Sequence, residues 1–223
     1  MADLSNIKNW IFDLDNTLYR ADAGFFSQID VKITDFVSRY LALDPTAARG
    51  LQKEYLAEYG TTLSGLMAVH GMDPDAFLEY VHDVDLTPLE PNSTLKAAIS
   101  ALPGRKFIFT NGSYGHAKNV ASHLGLWELF DGSFGVDDVD YIPKPQRSSF
   151  VKFCDHFNIN PKQAIMFEDS VRNLEAPKLM GMQTALIVSD IGHYQLPEVS
   201  ALDGNKVKAH WVDYIIDDLA NWL

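Results

Sequence analysis

The sequence predicts an α/β fold: a doubly wound, mostly parallel sheet with a small helical unit inserted after the first strand. Two observations carry this reading. Short apolar runs alternate with helical patterns along most of the 223 residues, and about ninety residues between the first run and the second carry helix signals alone. With 47% apolar residues, the chain can cover both faces of such a sheet.

Taken in order, the first strand is the buried run Asn9 to Phe12. In the insert, Phe26, Ile29, Ile33, Phe36, Val37, Tyr40 and Leu41 mark one amphipathic helix, and Leu51, Tyr55, Leu56 and Tyr59 mark a second. Asp73 and Pro74 read as the N-cap and first residue of a third. Thr87-Pro88 and Glu90-Pro91-Asn92 mark the return, so residues 20–88 read as a helical cap and residues 1–19 and 89–223 as the core. Further strands are expected at Lys106 to Thr110, Ala164 to Phe167, Thr184 to Val188 and His210 to Ile216. Helices are expected at Leu95 to Leu102, His116 to Leu124, Ser148 to Phe157 and Val171 to Met180, where apolar residues recur every three to four positions.

Thirty acidic against 18 basic residues give a net charge of -12, a field that repels nucleic acid and anionic membranes. An anionic substrate therefore needs local cationic help. A single cysteine, Cys154, excludes an internal disulfide framework and sites built from several thiolates, and it suits a reducing compartment. The start MADLSNIKNWIF lacks the pattern of a signal peptide, and no apolar run approaches the ~20 residues of a membrane span. The chain reads as cytoplasmic.

Four Asp-x-Asp pairs occur, at 13/15, 73/75, 83/85 and 138/140, so the pair alone decides nothing. Asp13 and Asp15 differ in context, because the run Trp10-Ile11-Phe12 delivers them to the carboxyl end of a strand, where such folds place their sites. Residues two apart in extended chain face the same way, so both carboxyl groups can converge on one ligand. Paired carboxylates there suit a hard cation such as Mg2+. Phe107-Ile108-Phe109 leads into Thr110-Asn111-Gly112-Ser113, a hydroxyl and a turn whose amides can hold phosphate oxygens. Ile165-Met166-Phe167 leads into Glu168 and Asp169, and adjacent carboxylates at a core edge point to metal. Lys144 sits between Pro143 and Pro145, a stiff mount for an ammonium group.

DLDNTLY from Asp13, TNG from Thr110, KP from Lys144 and EDS from Glu168 together resemble the haloacid dehalogenase superfamily, in both order and spacing. The resemblance implies a Rossmann-like core with Asp13 as covalent nucleophile and Asp15 as general acid and base. It also implies phosphate contacts from Thr110, a charge-stabilising Lys144 and metal-site acids at Glu168 and Asp169, with Asp15 adding its backbone carbonyl. DLDNTLY, EDSVRNLEAPK and the cap segment YGTTLSGL resemble the pyrimidine 5'-nucleotidase-like branch, although Arg20 follows Tyr19 where that branch commonly has proline. The resemblance therefore implies a magnesium-dependent phosphatase of nucleoside 5'-monophosphates, with a small phosphorylated metabolite as its partner.

In the insert, a polar, glycine-flanked loop carrying Tyr59, Thr61, Thr62 and Ser64, with His70 beyond it, is expected to face substrate. A dehalogenase of this family does without the second aspartate and the metal, so Asp15, Glu168 and Asp169 argue against one. A sugar-phosphate or phosphoglycolate phosphatase or mutase keeps all of these residues, and an idle binding module would have no need of them.

Overall fold

The computed structural model describes residues 4–20, 24–188 and 210–223. Its strands are β1 (Asn9–Phe12), β2 (Arg105–Phe109), β3 (Gly132–Phe134), β4 (Ala164–Glu168), β5 (Gln183–Ile187) and β6 (Tyr214–Ile216). They form one sheet in the order β3-β2-β1-β4-β5-β6, and every pairing is parallel. Strand order reverses about β1, which has β2 on one side and β4 on the other, so the ligand crevice of a doubly wound sheet falls at its carboxyl end.

Each central strand reads as an unbroken apolar run because both faces of the sheet are covered. Successive side chains of β1 alternate between two cores, with Ile11 in one and Trp10 and Phe12 in the other. The same alternation puts Phe107, Phe109 and Met166 with Ile11, and Ile108, Ile165 and Phe167 with Phe12. Phe12 stacks on Phe167 at 4.7 Å between ring centroids, which fixes β1 against β4 where the site begins.

The helices are α1 (Phe25–Leu41), α2 (Pro45–Tyr59), α3 (Thr62–His70), α4 (Pro74–His82), α5 (Ser93–Ala101), α6 (Tyr114–His123), α7 (Arg147–Phe157), α8 (Glu175–Met180) and α9 (Leu219–Trp222). The first four all lie between β1 and β2 in the chain. Asp44 and Asp73 cap α2 and α4, each followed by a proline in the first turn, as residue types at helix starts dictate. Among the described residues no helix is long and apolar enough to cross a membrane.

Four elements differ from the sequence expectation. The edge strand β3 was not foreseen, because three residues with one apolar side chain carry no periodic signal. Its Gly132 lets Phe157 approach closely, since a Cβ there would lie 2.5 Å from the ring. The expected substrate loop shrinks to Gly60 and Thr61, because the Thr61 hydroxyl accepts from Ser64 N and starts α3 at Thr62. The last strand is confined to Tyr214–Ile216 rather than beginning at His210. The helix expected from Val171 opens with a 3-10 turn, Val171–Leu174, before α8.

The turn into β2 shows how tightly the sheet is tied to its own loops. Gly104 has φ +82°, and a Cβ there would lie 2.4 Å from Lys8 O. That oxygen already accepts from Arg105 N at 2.9 Å, so it cannot move without breaking the β1–β2 register. Gly104→Ala is expected to destabilise the protein by about 2–4 kcal/mol, combining left-handed strain with overpacking. Urea denaturation checks this through the transition midpoint, and an unchanged midpoint would show that the turn relaxes freely.

Candidate active site

The carboxyl ends of β1, β2 and β4 bring together the residues that the sequence singled out. Asp13 follows β1 directly, and its N–H still donates to Phe167 O at 2.9 Å, so the strand pairing itself aims the carboxylate. Lys144 is 1% exposed. Its Nζ donates to Asp13 Oδ1 at 2.7 Å, Glu168 Oε2 at 2.7 Å and Phe109 O at 2.8 Å, which satisfies all three ammonium hydrogens. The backbone of Lys144 is held as firmly: its N–H donates to Asn111 Oδ1 at 2.7 Å, and Asn111 Nδ2 donates to Lys144 O at 3.1 Å. Asn111 therefore mounts the lysine, whatever else it touches. Thr110 accepts from Gly112 N at 2.9 Å, which tightens the turn after β2.

Carboxylate oxygens of Asp13, Glu168 and Asp169 lie within 4.8 Å of one another, a set of hard donors compatible with a divalent cation. Their engagement differs. Glu168 has one oxygen on Lys144 and the other accepting from Ser170 N at 3.1 Å, whereas Asp169 Oδ2 accepts from Asn16 Nδ2 at 3.2 Å. Asp15 stands apart from this set. Its Oδ1 accepts from Tyr19 OH at 2.7 Å and pairs with His116 Nε2 at 3.0 Å.

Electrostatics separate the two aspartates. Burial and the neighbouring Glu168 push the Asp13 carboxyl up to about 7, although Lys144 pulls the other way. Asp169 is likewise raised well above the ordinary value by burial, Glu168 and Asp13. Lys144 is raised despite its own burial, because two carboxylates face one ammonium. Burial opposes ionisation of Asp15 too, yet the charge of His116 and the bonds from His116 and Tyr19 hold its carboxyl low.

A cleft of about 400 Å³ opens over these groups. Thr110, Asn111, Gly112, Thr61 and Thr62 line it with the acids and Lys144, and helices α1 to α4 supply an apolar wall that includes Phe26, Ile29, Ile33 and Phe77. Among the described residues, five acidic side chains line the cleft, of Asp13, Asp15, Asp30, Glu168 and Asp169, against three basic ones, of Lys53, Lys144 and Arg172. With all of these acids ionised, the excess of negative charge would repel a phosphate unless a metal cation joined the site. A larger cavity, of about 590 Å³, lies beside Pro88, Glu90 and Asp218 and holds none of the clustered acids or Lys144, so the chemistry belongs to the cleft.

Not every candidate from the insert reaches this place. Tyr59 packs edge-on against Tyr55 at 5.6 Å, His70 bonds to Tyr55 OH at 2.8 Å, and neither they nor Ser64 are among the cleft residues. The Thr62 hydroxyl donates to Gln52 O at 3.2 Å and ties α3 to α2. Sequence reasoning missed Thr17, whose Oγ1 donates to Asp13 Oδ2 at 3.3 Å, as well as Tyr19 and His116. Thr17 and Tyr19 stood inside the DLDNTLY segment. His116 carried no signal beyond lying one turn into a helix.

The sequence pattern of the haloacid dehalogenase-like hydrolases matches residues 7–181, and the chain belongs to that family. Among solved structures it is similar to a haloacid dehalogenase phosphatase from Thermococcus onnurineus, at 20% identity and a TM-score of 0.63, over 97% of this chain and 96% of that one. A fructose-1-phosphate phosphatase of Escherichia coli (strain K12) is 23% identical, over 74% of this chain and 96% of its own length. Phosphate metabolism protein 8 of Saccharomyces cerevisiae is 30% identical over 137 residues, which cover 56% of this chain and 42% of that relative.

The raised Asp13 carboxyl has a thermodynamic consequence. It keeps its proton up to about pH 7 in the fold, against 3.8 as its ordinary value. Between those limits the native state binds more protons than the unfolded chain, so stability of chelator-treated protein is expected to fall as the pH rises from about 4 to about 7. Asp13→Asn removes this contribution. Urea denaturation across that range should show a shallower decline in the variant, and parallel curves would show that Asp13 ionises normally.

Proposed function

We propose that the chain hydrolyses phosphomonoesters through an aspartyl-phosphate on Asp13, with Mg2+ as cofactor and nucleoside 5'-monophosphates as preferred substrates, pyrimidine ones ahead of purine ones. The observation that carries the reading is Asp13 at the end of β1, bonded to the buried Lys144 and backed by Glu168 and Asp169, with Asp15 two residues on and held separately. This supports a reading in which Asp13 attacks and Asp15 moves protons.

In the first step an Asp13 carboxylate oxygen attacks phosphorus, the ester P–O bond breaks, and Asp15 gives its proton to the departing alcohol oxygen. Asp15 must be protonated for this, and an incoming phosphate anion beside it favours that form. In the second step a water oxygen attacks phosphorus, its proton passes to Asp15, and the bond from phosphorus to Asp13 breaks to regenerate the carboxylate and release phosphate. The ionised form that His116 and Tyr19 favour is the one needed here. Lys144 and the amides of the turn after Thr110 face the negative charge spread over the transferring oxygens.

Asp13, Glu168 and Asp169 would hold the cation, with the Asp15 backbone carbonyl. Glu168 also supports Lys144 and the loop through its two hydrogen bonds. Bound there, Mg2+ would favour ionised Asp13 and attract the phosphate dianion.

Phosphate and cation are common to all phosphomonoesters, so selection falls to the wall of the cleft. Phe26, Ile29, Ile33, Leu56 and Phe77 offer a nucleobase an apolar surface that a polyol does not need, and Thr61 and Thr62, whose hydroxyls already bond within the insert, lie at its edge. The resemblance of DLDNTLY, EDSVRNLEAPK and YGTTLSGL supports the choice of pyrimidine. The single cysteine goes with a cytoplasmic setting. A second reading, a sugar-phosphate phosphatase, is favoured by the similarity to the fructose-1-phosphate phosphatase across most of that relative.

Specificity constants for uridine, cytidine, adenosine and guanosine monophosphates, beside fructose 1-phosphate and phosphoglycolate, separate the two readings. A sugar phosphate or phosphoglycolate ahead of every nucleotide by about tenfold, or 1.4 kcal/mol, would replace the first reading with the second. Asp13→Asn is expected to lower turnover of every substrate by at least about a thousandfold while the protein stays folded. A chelator should abolish activity and added Mg2+ restore it, and a rate indifferent to exhaustive chelation would remove the cation from the mechanism.

A further inference from the structure

Asp15 is useful only if one carboxylate oxygen faces the reacting atoms in a fixed direction, and the structure shows how that direction is set. Among the described residues, both of its side-chain hydrogen bonds fall on Oδ1, from Tyr19 OH at 2.7 Å and His116 Nε2 at 3.0 Å. That leaves Oδ2 for a ligand. His116 comes from α6, which follows β2 and packs in the same core as the loop that carries Asp15, and is 2% exposed. A histidine buried there with its ring nitrogen on a carboxylate is costly to place unless the pairing is kept.

The ring of His116 is itself tightly held. Phe25, the first residue of α1, stacks parallel to it at 6.1 Å and 5°, and His82, the last residue of α4, stacks at 4.2 Å and 15°. Both residues come from the ends of the helical insert. His82 is anchored in turn, with Nδ1 3.0 Å from the hydroxyl of Ser113, which also accepts from His116 N. Gly112 completes the fit, since a Cβ there would lie 3.0 Å from His116 Cδ2. Tyr19 meets Phe25 edge-on at 5.4 Å, so both donors to Asp15 rest on the same aromatic residue.

We propose that His116 is a positioning residue for Asp15, held in plane by Phe25 and His82, so that the seating of the helical insert fixes the direction of the general acid and base. The proposal rests on the hydrolase reading above. It concerns a group that touches no substrate and that the signature motifs do not contain.

p-Nitrophenyl phosphate separates the two chemical steps. Its nitrophenolate leaves without needing a proton, so its release reports formation of the aspartyl-phosphate, whereas continued turnover needs Asp15 as base. With Mg2+ present, His116→Ala is expected to lower steady turnover by about tenfold to a hundredfold, the scale of a misplaced catalytic group. It should still give an initial burst of nitrophenolate of about one per active site, with phosphate trapped on Asp13 after acid quenching. His116→Gln, whose amide can donate to Oδ1, should recover much of the turnover. His116→Phe keeps the ring and the volume without a donor and should not. If the alanine variant does not fold, the Gln and Phe pair decides the matter. Equal loss of burst and turnover, no loss at all, or Gln and Phe variants that behave alike would overturn the positioning role in an otherwise active enzyme. Wild-type protein that never carries phosphate on Asp13 would overturn the hydrolase reading, and this proposal with it.

Discussion

The arrangement of the site depends on one buried ammonium group. Lys144 Nζ lies 2.7 Å from a carboxylate oxygen of Asp13 and 2.7 Å from one of Glu168, and it is nearly sealed from water. A lysine in such a place is tolerated only because both charges and its third hydrogen are met, and removing one partner from a buried pair typically costs about 3–5 kcal/mol. Three separate stretches of chain must therefore arrive together: the end of β1, the end of β4, and the loop that Asn111 clamps from the end of β2. The parallel pairing of those strands delivers them to one edge of the sheet. The ion pairs in turn hold that edge in register.

One cation between two carboxylates leaves the centre short of positive charge, and Asp169 adds to the deficit. The raised carboxyls of Asp13 and Asp169 express this imbalance. The same imbalance would be relieved by the proposed binding of a cation with a phosphate. A fully neutralised cluster would be more stable and would bind both less well.

The second aspartate is governed by different neighbours. Asp15 is two residues from Asp13 yet takes its hydrogen bonds from Tyr19 and His116, and the rings that flank His116 belong to the helices inserted after β1. The insert thus has two relations to the chemistry. It forms the apolar wall of the cleft, and its first and last helices press on His116, which bonds to Asp15.

What could be read from sequence was whatever short-range patterns determine. Apolar runs of four or five residues announced the central strands within a residue or so, because both faces of those strands are buried. Asp13, Asp15, Thr110, Lys144, Glu168 and Asp169 were legible because each directly follows such a run or sits in a stiff, distinctive segment. The strand β3 was not legible, since an edge strand of three residues needs only backbone partners. Nor was the exclusion of Tyr59 and His70 from the cleft: Tyr59, at the end of α2, and His70, at the end of α3, both turn to Tyr55, and helical facing depends on where each helix begins and how the two pack. His116 lies a hundred residues from Asp15, and no local pattern links an imidazole to a carboxylate at that separation. The sequence by itself determined the strands, the acids and the lysine, because local periodicity and residue chemistry suffice for those. Only the tertiary structure decided which oxygen of Asp15 is held, which rings hold it, and which charges are left uncompensated, because those depend on distances between segments that meet only after folding.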